Sequence, residues 1–170
     1  MAAFFPAAGQ ADAIAREYPV DGTDGGPVFG AVIGDADFAC PTLATEGLLS
    51  ARVPVWRYEF ADENAPPLTS GTPPFPMGAP HASELPYLFD LGGRPRDLTA
   101  AQQRLASTMI GYWARFAATG NPNGPWAGAG PASGSAYWPR HEVLSLAPDD
   151  MVPTTTMATR HHCAFWNRLG

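Results

Sequence analysis

The sequence predicts an α/β protein, because a clear strand pattern and a clear helix pattern lie in the same 170-residue chain. Residues 53–60, VPVWRYEF, are mostly β-branched or aromatic, which favours a strand, and apolar residues on both of its sides predict cover on both faces. Residues 97–124 carry apolar residues every three or four positions, the spacing of a helix with one buried face. The length fits one domain, and 45% apolar residues suffice for a packed core.

Shorter elements flank these two. Residues 5–18 predict a short helix, and residues 28–52 predict two helical pieces interrupted near Pro41, because proline disrupts a helix interior. Residues 138–148 predict a short strand with its turns. Residues 154–170 predict a short closing helix. The pattern as a whole indicates a small sheet with flanking helices.

The helix within 97–124 has recognisable ends. Thr99 and Gln102 have the spacing of a capping box, and Gly120 stands where a helix commonly stops. The apolar residues that share one face of this helix are Leu98, Ala101, Leu105, Met109, Tyr112, Trp113 and Phe116. We expect this face in the core.

Residues 61–80 form a long segment without a helix or strand pattern. Six prolines in these twenty residues exclude a regular helix or a central strand. Loops of this length inside compact domains are usually functional. His81 follows directly, and imidazole is the side chain most often used as a general base near neutral pH. Without further information, a polar residue on a turn is the simpler interpretation of His81.

A histidine base needs a nucleophile and a carboxylate beside it. The nucleophile elbow Gly-x-Ser-x-Gly, which raises a serine on a strained turn between a strand and a helix, does not occur in the sequence. Ser70 and Ser133 lack its glycine frame and its preceding strand. No complete catalytic set can therefore be assembled from these residues.

The charge pattern excludes several classes of partner. The net charge is −6, and the ten basic residues, all arginine, are scattered, so no cationic stripe exists to neutralise phosphates. We expect neither a nucleic-acid partner nor binding to an anionic membrane. No apolar run reaches the roughly 18 residues of a membrane span, and the first residues lack the pattern of a signal peptide. The absence of lysine beside abundant Ala, Gly, Pro and Arg is typical of a GC-rich bacterial genome.

The two cysteines, Cys40 and Cys163, do not have a metal-binding spacing. Their number leaves open whether they are two buried thiols or one disulfide. His161 and His162 precede Cys163 directly, which raises a metal site as an alternative. Neighbouring side chains cannot all point at one metal ion, so this alternative is weak.

A series of motifs resembles one known family. GAPHASELPYLF (78–89) is similar to the histidine motif of the type-B carboxylesterases, which include cholinesterases and bacterial para-nitrobenzyl esterases. IGDADFACP (33–41) and VPVWRYEFADENAPP (53–67) precede it, and MIGYWARFAATGNPNG (109–124) and CAFW (163–166) follow it. Taken in order, the motifs cover nearly the whole chain.

The resemblance implies the C-terminal portion of an α/β-hydrolase fold, with an incomplete sheet and flanking helices, and a single partial domain over residues 1–170. It implies one catalytic residue here, His81, and a structural supporting role for Glu84. The serine and the acid of such an enzyme lie upstream of the matching region. The implied reaction is hydrolysis of a carboxylic ester without cofactor or metal, with the missing N-terminal portion as candidate partner and no activity of this chain alone.

The resemblance also implies a disulfide between Cys40 and Cys163, as in secreted members of the family. That bond implies a secreted or extracytoplasmic location. Because some members of the family are inactive adhesion proteins, a non-catalytic fragment that binds or complements a partner is the alternative function.

Overall fold

The computed structural model describes residues 5, 9–22, 24–68, 73, 75–93, 95–124 and 137–169. The chain divides into two compact units. Unit 1 comprises residues 1–53, 72–77 and 156–170, and unit 2 comprises residues 54–71 and 78–155. Unit 1 is thus built from both ends of the chain. That residues 1–170 act as one partial domain stays a prediction.

Helices dominate unit 1, and unit 2 combines helices with a sheet. Unit 1 contains α1 Gln10–Glu17, α2 Gly26–Ile33, a π-helix Gly34–Ala39, α3 Cys40–Ser50, α6 Met157–Arg160 and α7 Cys163–Leu169. Unit 2 contains β1 Arg57–Phe60, α4 Leu85–Leu88, a 3₁₀ turn Leu91–Gly93, α5 Ala100–Thr119, β2 Val143–Ala147 and β3 Asp150–Thr154. The predicted α/β class is confirmed. None of the described helices is long and apolar enough to cross a membrane.

In unit 1, α2, the π-helix and α3 follow one another without a loop. The two predicted helical pieces are confirmed, but the irregularity between them is a π-helix and not a break at Pro41. Pro41 is the second residue of α3, directly after the π-helix, and helical backbone continues through it. The wider π-helical turn belongs to a type that recurs at functional or strained positions, and it places the carboxylate of Asp35 in the interior.

The core of unit 1 brings the two ends of the chain together. Ile14 and Val32 are fully buried, and the partly buried Trp166 of α7 packs against them. Cys40 at the start of α3 forms a disulfide with Cys163 at the start of α7. The disulfide implied by the family resemblance is thereby confirmed.

The sheet of unit 2 has the strand order β1-β2-β3. β1 runs parallel to β2, and β2 runs antiparallel to β3. Parallel neighbours need a long crossover connection, which here contains α4 and α5. The buried residues of this core are Tyr87, Leu105, Ala106, Met109, Tyr112, Trp138, Leu144 and Leu146.

Helix α5 begins and ends as predicted. The Thr99 hydroxyl accepts a hydrogen bond from the Gln102 N–H at 3.3 Å, and the Gln102 side chain accepts one from the Thr99 N–H at 3.0 Å. Gly120 ends the helix with φ 70°, a conformation that glycine adopts at little cost. The middle of the apolar face is buried, whereas Phe116 near its end is 48% exposed.

The strands differ from the prediction in three respects. The strand predicted over 53–60 is shorter, since β1 covers only Arg57–Phe60. The pattern in 138–148 corresponds to β2 alone, and β3, which contains Pro153, lacks a strand signal of its own. β3 exists because it pairs with β2 across a tight turn in which Asp149 has φ 59°. The expected cover on both faces of β1 is also incomplete, since Tyr58 is 39% exposed.

Candidate active site

His81 lies at the start of a tight turn that leads into α4. Backbone hydrogen bonds close this turn, from the Ser83 N–H to the Pro80 carbonyl at 3.0 Å and from the Leu85 N–H to the Ala82 carbonyl at 3.1 Å. Ala82 has φ 69°, a left-handed conformation that is unfavourable for residues other than glycine. The turn therefore fixes the backbone at His81, while the imidazole lies at the surface of unit 2.

The residues after His81 are less exposed. Glu84 is half-buried at the start of α4, and its backbone carbonyl accepts the Tyr87 N–H at 3.0 Å. Ser83 is only 3% exposed, and within the described residues its hydroxyl has no hydrogen-bond partner. An unsatisfied buried hydroxyl is costly, so a further group facing Ser83 would stabilise the turn.

A buried carboxylate anchors α4. Asp62 follows β1 by two residues, and its Oδ2 accepts hydrogen bonds from the Tyr87 hydroxyl and from Nε2 of Gln102, the latter at 2.8 Å. Its Oδ1 accepts the Asn64 N–H at 2.9 Å. Burial first, and then the hydrogen bond to Asp62, raise the pKa of Tyr87 above the usual value near 10. The hydroxyl therefore stays protonated and donates to the carboxylate.

Sequence patterns did not reveal this anchor. The spacing of Thr99 and Gln102 predicted a capping box. It did not predict that the side-chain amide of Gln102 also donates to Asp62. The available signal was the position of Asp62, a carboxylate directly after a strand of the core.

In unit 1, the two adjacent histidines pair with carboxylates. Nδ1 of His161 lies 2.6 Å from Oδ1 of the buried Asp35, and Nδ1 of His162 lies 2.8 Å from Oε1 of Glu17. Cys163 is disulfide-bonded to Cys40. The disulfide excludes Cys163 as a ligand in the metal alternative for these three neighbouring residues. In the part of the chain that the structure describes, no three His, Cys, Asp or Glu side chains are grouped so that they could hold a metal ion.

The remaining site predictions are not decided by the geometry. Ser70 and Ser133 lie outside the described residues. The roles of His81 and Glu84 stay predictions. What the structure offers is an imidazole on a constrained turn, a suitable base for proton transfer to and from a group held in front of it.

The fold is that of part of an α/β-hydrolase. A solved structure of a thermophilic PNB esterase matches 92% of this chain with a TM-score of 0.65 and 21% identity, and the match covers 30% of that protein. A second PNB esterase structure matches 89% of this chain with a TM-score of 0.63 and 24% identity, over 29% of that protein. At these identities the likeness establishes the fold alone.

The sequence comparison then establishes the family. A model of the carboxylesterase family matches residues 21–166. Human cocaine esterase is 31% identical over 147 residues, which are 82% of this chain and 24% of that protein. Acetylcholinesterase from Bungarus fasciatus is 33% identical over 81% of this chain, and carboxylesterase 4A from Bos taurus is 35% identical over 79%. The chain belongs to the carboxylesterase family and spans about a quarter of the length of these relatives.

Proposed function

We propose that this chain is the C-terminal portion of a serine carboxylesterase and that His81 is the histidine of its catalytic triad. The observation that supports this most strongly is the family match over residues 21–166, which runs through the constrained turn that carries His81. In the complete enzyme His81 takes the proton of the serine hydroxyl during acylation and returns it to the leaving alcohol. The same imidazole then activates water to hydrolyse the acyl-enzyme.

The chain alone is proposed to be inactive on carboxylic esters. The sequence has no Gly-x-Ser-x-Gly elbow, and removing the nucleophile of a serine hydrolase removes most of its rate enhancement. Glu84 is proposed to support the histidine turn and not to act as the triad acid, because the acid of the family that the chain resembles lies upstream of the matching region.

The proposed partner is the N-terminal portion of such an enzyme. Several large apolar side chains of unit 2 are exposed, among them Phe89 at 59%, Ile110 and Phe116. Exposed apolar residues of this size favour contact with further polypeptide, and the unsatisfied Ser83 hydroxyl points to the same need. These observations equally support the alternative function, a non-catalytic fragment that binds a partner.

The proposed location is extracytoplasmic. The disulfide between Cys40 and Cys163 supports it, because such bonds form and persist in oxidising compartments. Alkylation of free thiols in intact cells before lysis tests it. Protected cysteines are expected, and two alkylated cysteines in the freshly trapped protein contradict an oxidising location.

The first test of the function assays the purified chain alone. Neither hydrolysis of a short p-nitrophenyl ester above the rate of a His81→Ala variant nor labelling by a fluorophosphonate is expected. Turnover that His81→Ala abolishes would show a self-sufficient hydrolase and overturn the proposal of an incomplete enzyme.

The second test supplies the rest of the fold. The chain is co-expressed with a PNB esterase truncated before its matching region, and ester hydrolysis by the purified complex is measured. His81→Ala should lower kcat on the order of 10³-fold or more, as expected for loss of a triad member. The matched control is His141→Ala, an exposed histidine of the same unit, which should leave activity unchanged. Hydrolysis indifferent to His81→Ala refutes the role of His81, and an inactive complex favours the partner-binding alternative.

A further inference from the structure

The short helix α4 cannot fix the direction of His81 by itself. It has four residues, Leu85–Leu88, and isolated helices of this length are unstable in water. The side chain of Glu84 makes no capping hydrogen bond at its start. Its placement must therefore come from contacts with other parts of unit 2, and these contacts decide where the attached turn holds His81.

One of these contacts is the hydrogen bond from the Tyr87 hydroxyl to the Asp62 carboxylate. Tyr87 is 2% exposed, and its ring also packs edge-on against Phe60 of β1 with the ring centroids 4.9 Å apart. Between Pro80 and Tyr87 the backbone forms successive turn hydrogen bonds of 3.0 to 3.1 Å. A displacement of Tyr87 is consequently transmitted to His81, since no unconstrained link separates the two residues.

Gln102 secures the other side of Asp62. Its Nε2 donates to the Asp62 carboxylate at 2.8 Å and to the Asn64 carbonyl at 3.0 Å, while its Oε1 accepts the Thr99 N–H at 3.0 Å. The side-chain amide of Gln102 thus links the segment after β1, at Asp62 and Asn64, to the start of α5 at Thr99. The Asp62 carboxylate accepts three hydrogen bonds. A buried carboxylate held in this way resists displacement, because movement would break at least one of the bonds.

We propose that Asp62, Tyr87 and Gln102 form a positioning network for His81. This inference rests on the function proposed above for His81. Tyr87 is a positioning residue and not a catalytic one, because its hydroxyl is buried and already donates to Asp62. In a complete enzyme, loss of the Tyr87 hydroxyl should lower kcat about 10- to 100-fold at unchanged KM, the size of effect produced by a small misplacement of a catalytic group.

The test observes the imidazole directly in this chain. The four histidines are labelled with ¹³C and ¹⁵N, and the ring signals of His81 are assigned with His81→Ala. Tyr87→Phe should shift and broaden the His81 signals. The matched control is Tyr18→Phe, which removes an equivalent buried hydrogen bond, of 2.7 Å, from a tyrosine hydroxyl to Asp35 in unit 1.

The control should give the opposite pattern. Because Asp35 also pairs with His161, Tyr18→Phe should shift the signals of His161 and leave those of His81 in place. Unchanged His81 signals in a folded Tyr87→Phe protein overturn the network. If Tyr87→Phe does not fold, Gln102→Met replaces it, since it removes the donor to Asp62 at similar size. Unchanged His81 signals in that variant overturn the network equally.

The outcome is separable from that of the proposed function. The ring signals report where His81 is held and do not depend on ester hydrolysis. Suppose that the His81 signals shift but hydrolysis does not change in His81→Ala. That result refutes the proposed function, and the network then has only a structural role. If the His81 signals do not shift in Tyr87→Phe but His81→Ala strongly lowers hydrolysis, the positioning network is refuted and the proposed function stands.

Discussion

Reduction of the disulfide between Cys40 and Cys163 should weaken unit 1 far more than unit 2. The bond joins residues 123 positions apart. Because a cross-link restricts the unfolded chain, closing a loop of that length is expected to stabilise the folded state by about 5 kcal/mol at 25 °C. That value applies when the whole intervening chain is unfolded in the reference state.

The strand register of unit 2 lowers this figure. Arg57 pairs with Val143, which in turn pairs with Thr154, so the folded sheet holds the two ends of unit 2 about 10 Å apart. If unit 1 opens while unit 2 stays folded, the disulfide closes only about 25 residues of flexible chain, which corresponds to about 3.5 kcal/mol.

Native-state amide hydrogen exchange measured by NMR, with and without reductant, distinguishes the two units. Ile14 and Val32 report on unit 1, and Met109 and Leu144 report on unit 2, since all four are fully buried. On reduction, the free energy of exchange in unit 1 should fall by about 3.5 kcal/mol. In unit 2 it should fall by less than about 1 kcal/mol, because its sheet does not contain the bond.

A Cys40→Ala/Cys163→Ala variant should behave like the reduced protein. A fall of less than about 1 kcal/mol at Ile14 and Val32 would refute the loop-closure reasoning. Equal falls of about 5 kcal/mol in both units would show that the units unfold together, which refutes the shorter loop.

Two further predictions concern pH and packing. Burial raises the pKa of Tyr18, Tyr87 and Tyr112, so the unfolded chain releases these protons first. The free energy of unfolding should keep the full contribution of these tyrosines below about pH 10. Above that pH it should fall by up to about 1.4 kcal/mol per pH unit for each tyrosine. Urea denaturation at pH 9 to 11 measures the free energy of unfolding. Tyr87→Phe should reduce its dependence on pH above pH 10, and a free energy of unfolding that stays constant there contradicts the prediction. Leu144→Ala, fully buried, should cost about 2–5 kcal/mol in the same assay. Leu48→Ala, 78% exposed, should cost about 0.5 kcal/mol or less, and equal costs would contradict the packing of unit 2.

Local features of the fold could be predicted because their causes lie close together in sequence. Thr99 and Gln102 are three residues apart, and their hydrogen bonds need only the helix they begin. The strand at Arg57–Phe60 forms the second half of the predicted segment 53–60 and contains two aromatic residues, Tyr58 and Phe60. By contrast, β3 contains Pro153 and forms because β2 offers it a partner, which no local pattern reveals.

The candidate site was predictable in part for the same reason. His81 and its turn are contiguous in sequence, and the family resemblance identified them together with the disulfide. The anchor of that turn joins Asp62 to Gln102, forty positions away, and this pairing exists only once β1 and α5 have come together. The pairs of Asp35 with His161 and of Glu17 with His162 span even more of the chain.

The construction of unit 1 from both ends of the chain sets an order on biosynthesis. Cys163 leaves the ribosome 123 residues after Cys40, and the sheet of unit 2 is translated in between. Until the last helix emerges, the sulfur of Cys40 has no native partner and stays open to mixed disulfides with other thiols. The native bond can therefore form only after α7 has been translated, by which time all of unit 2 has left the ribosome.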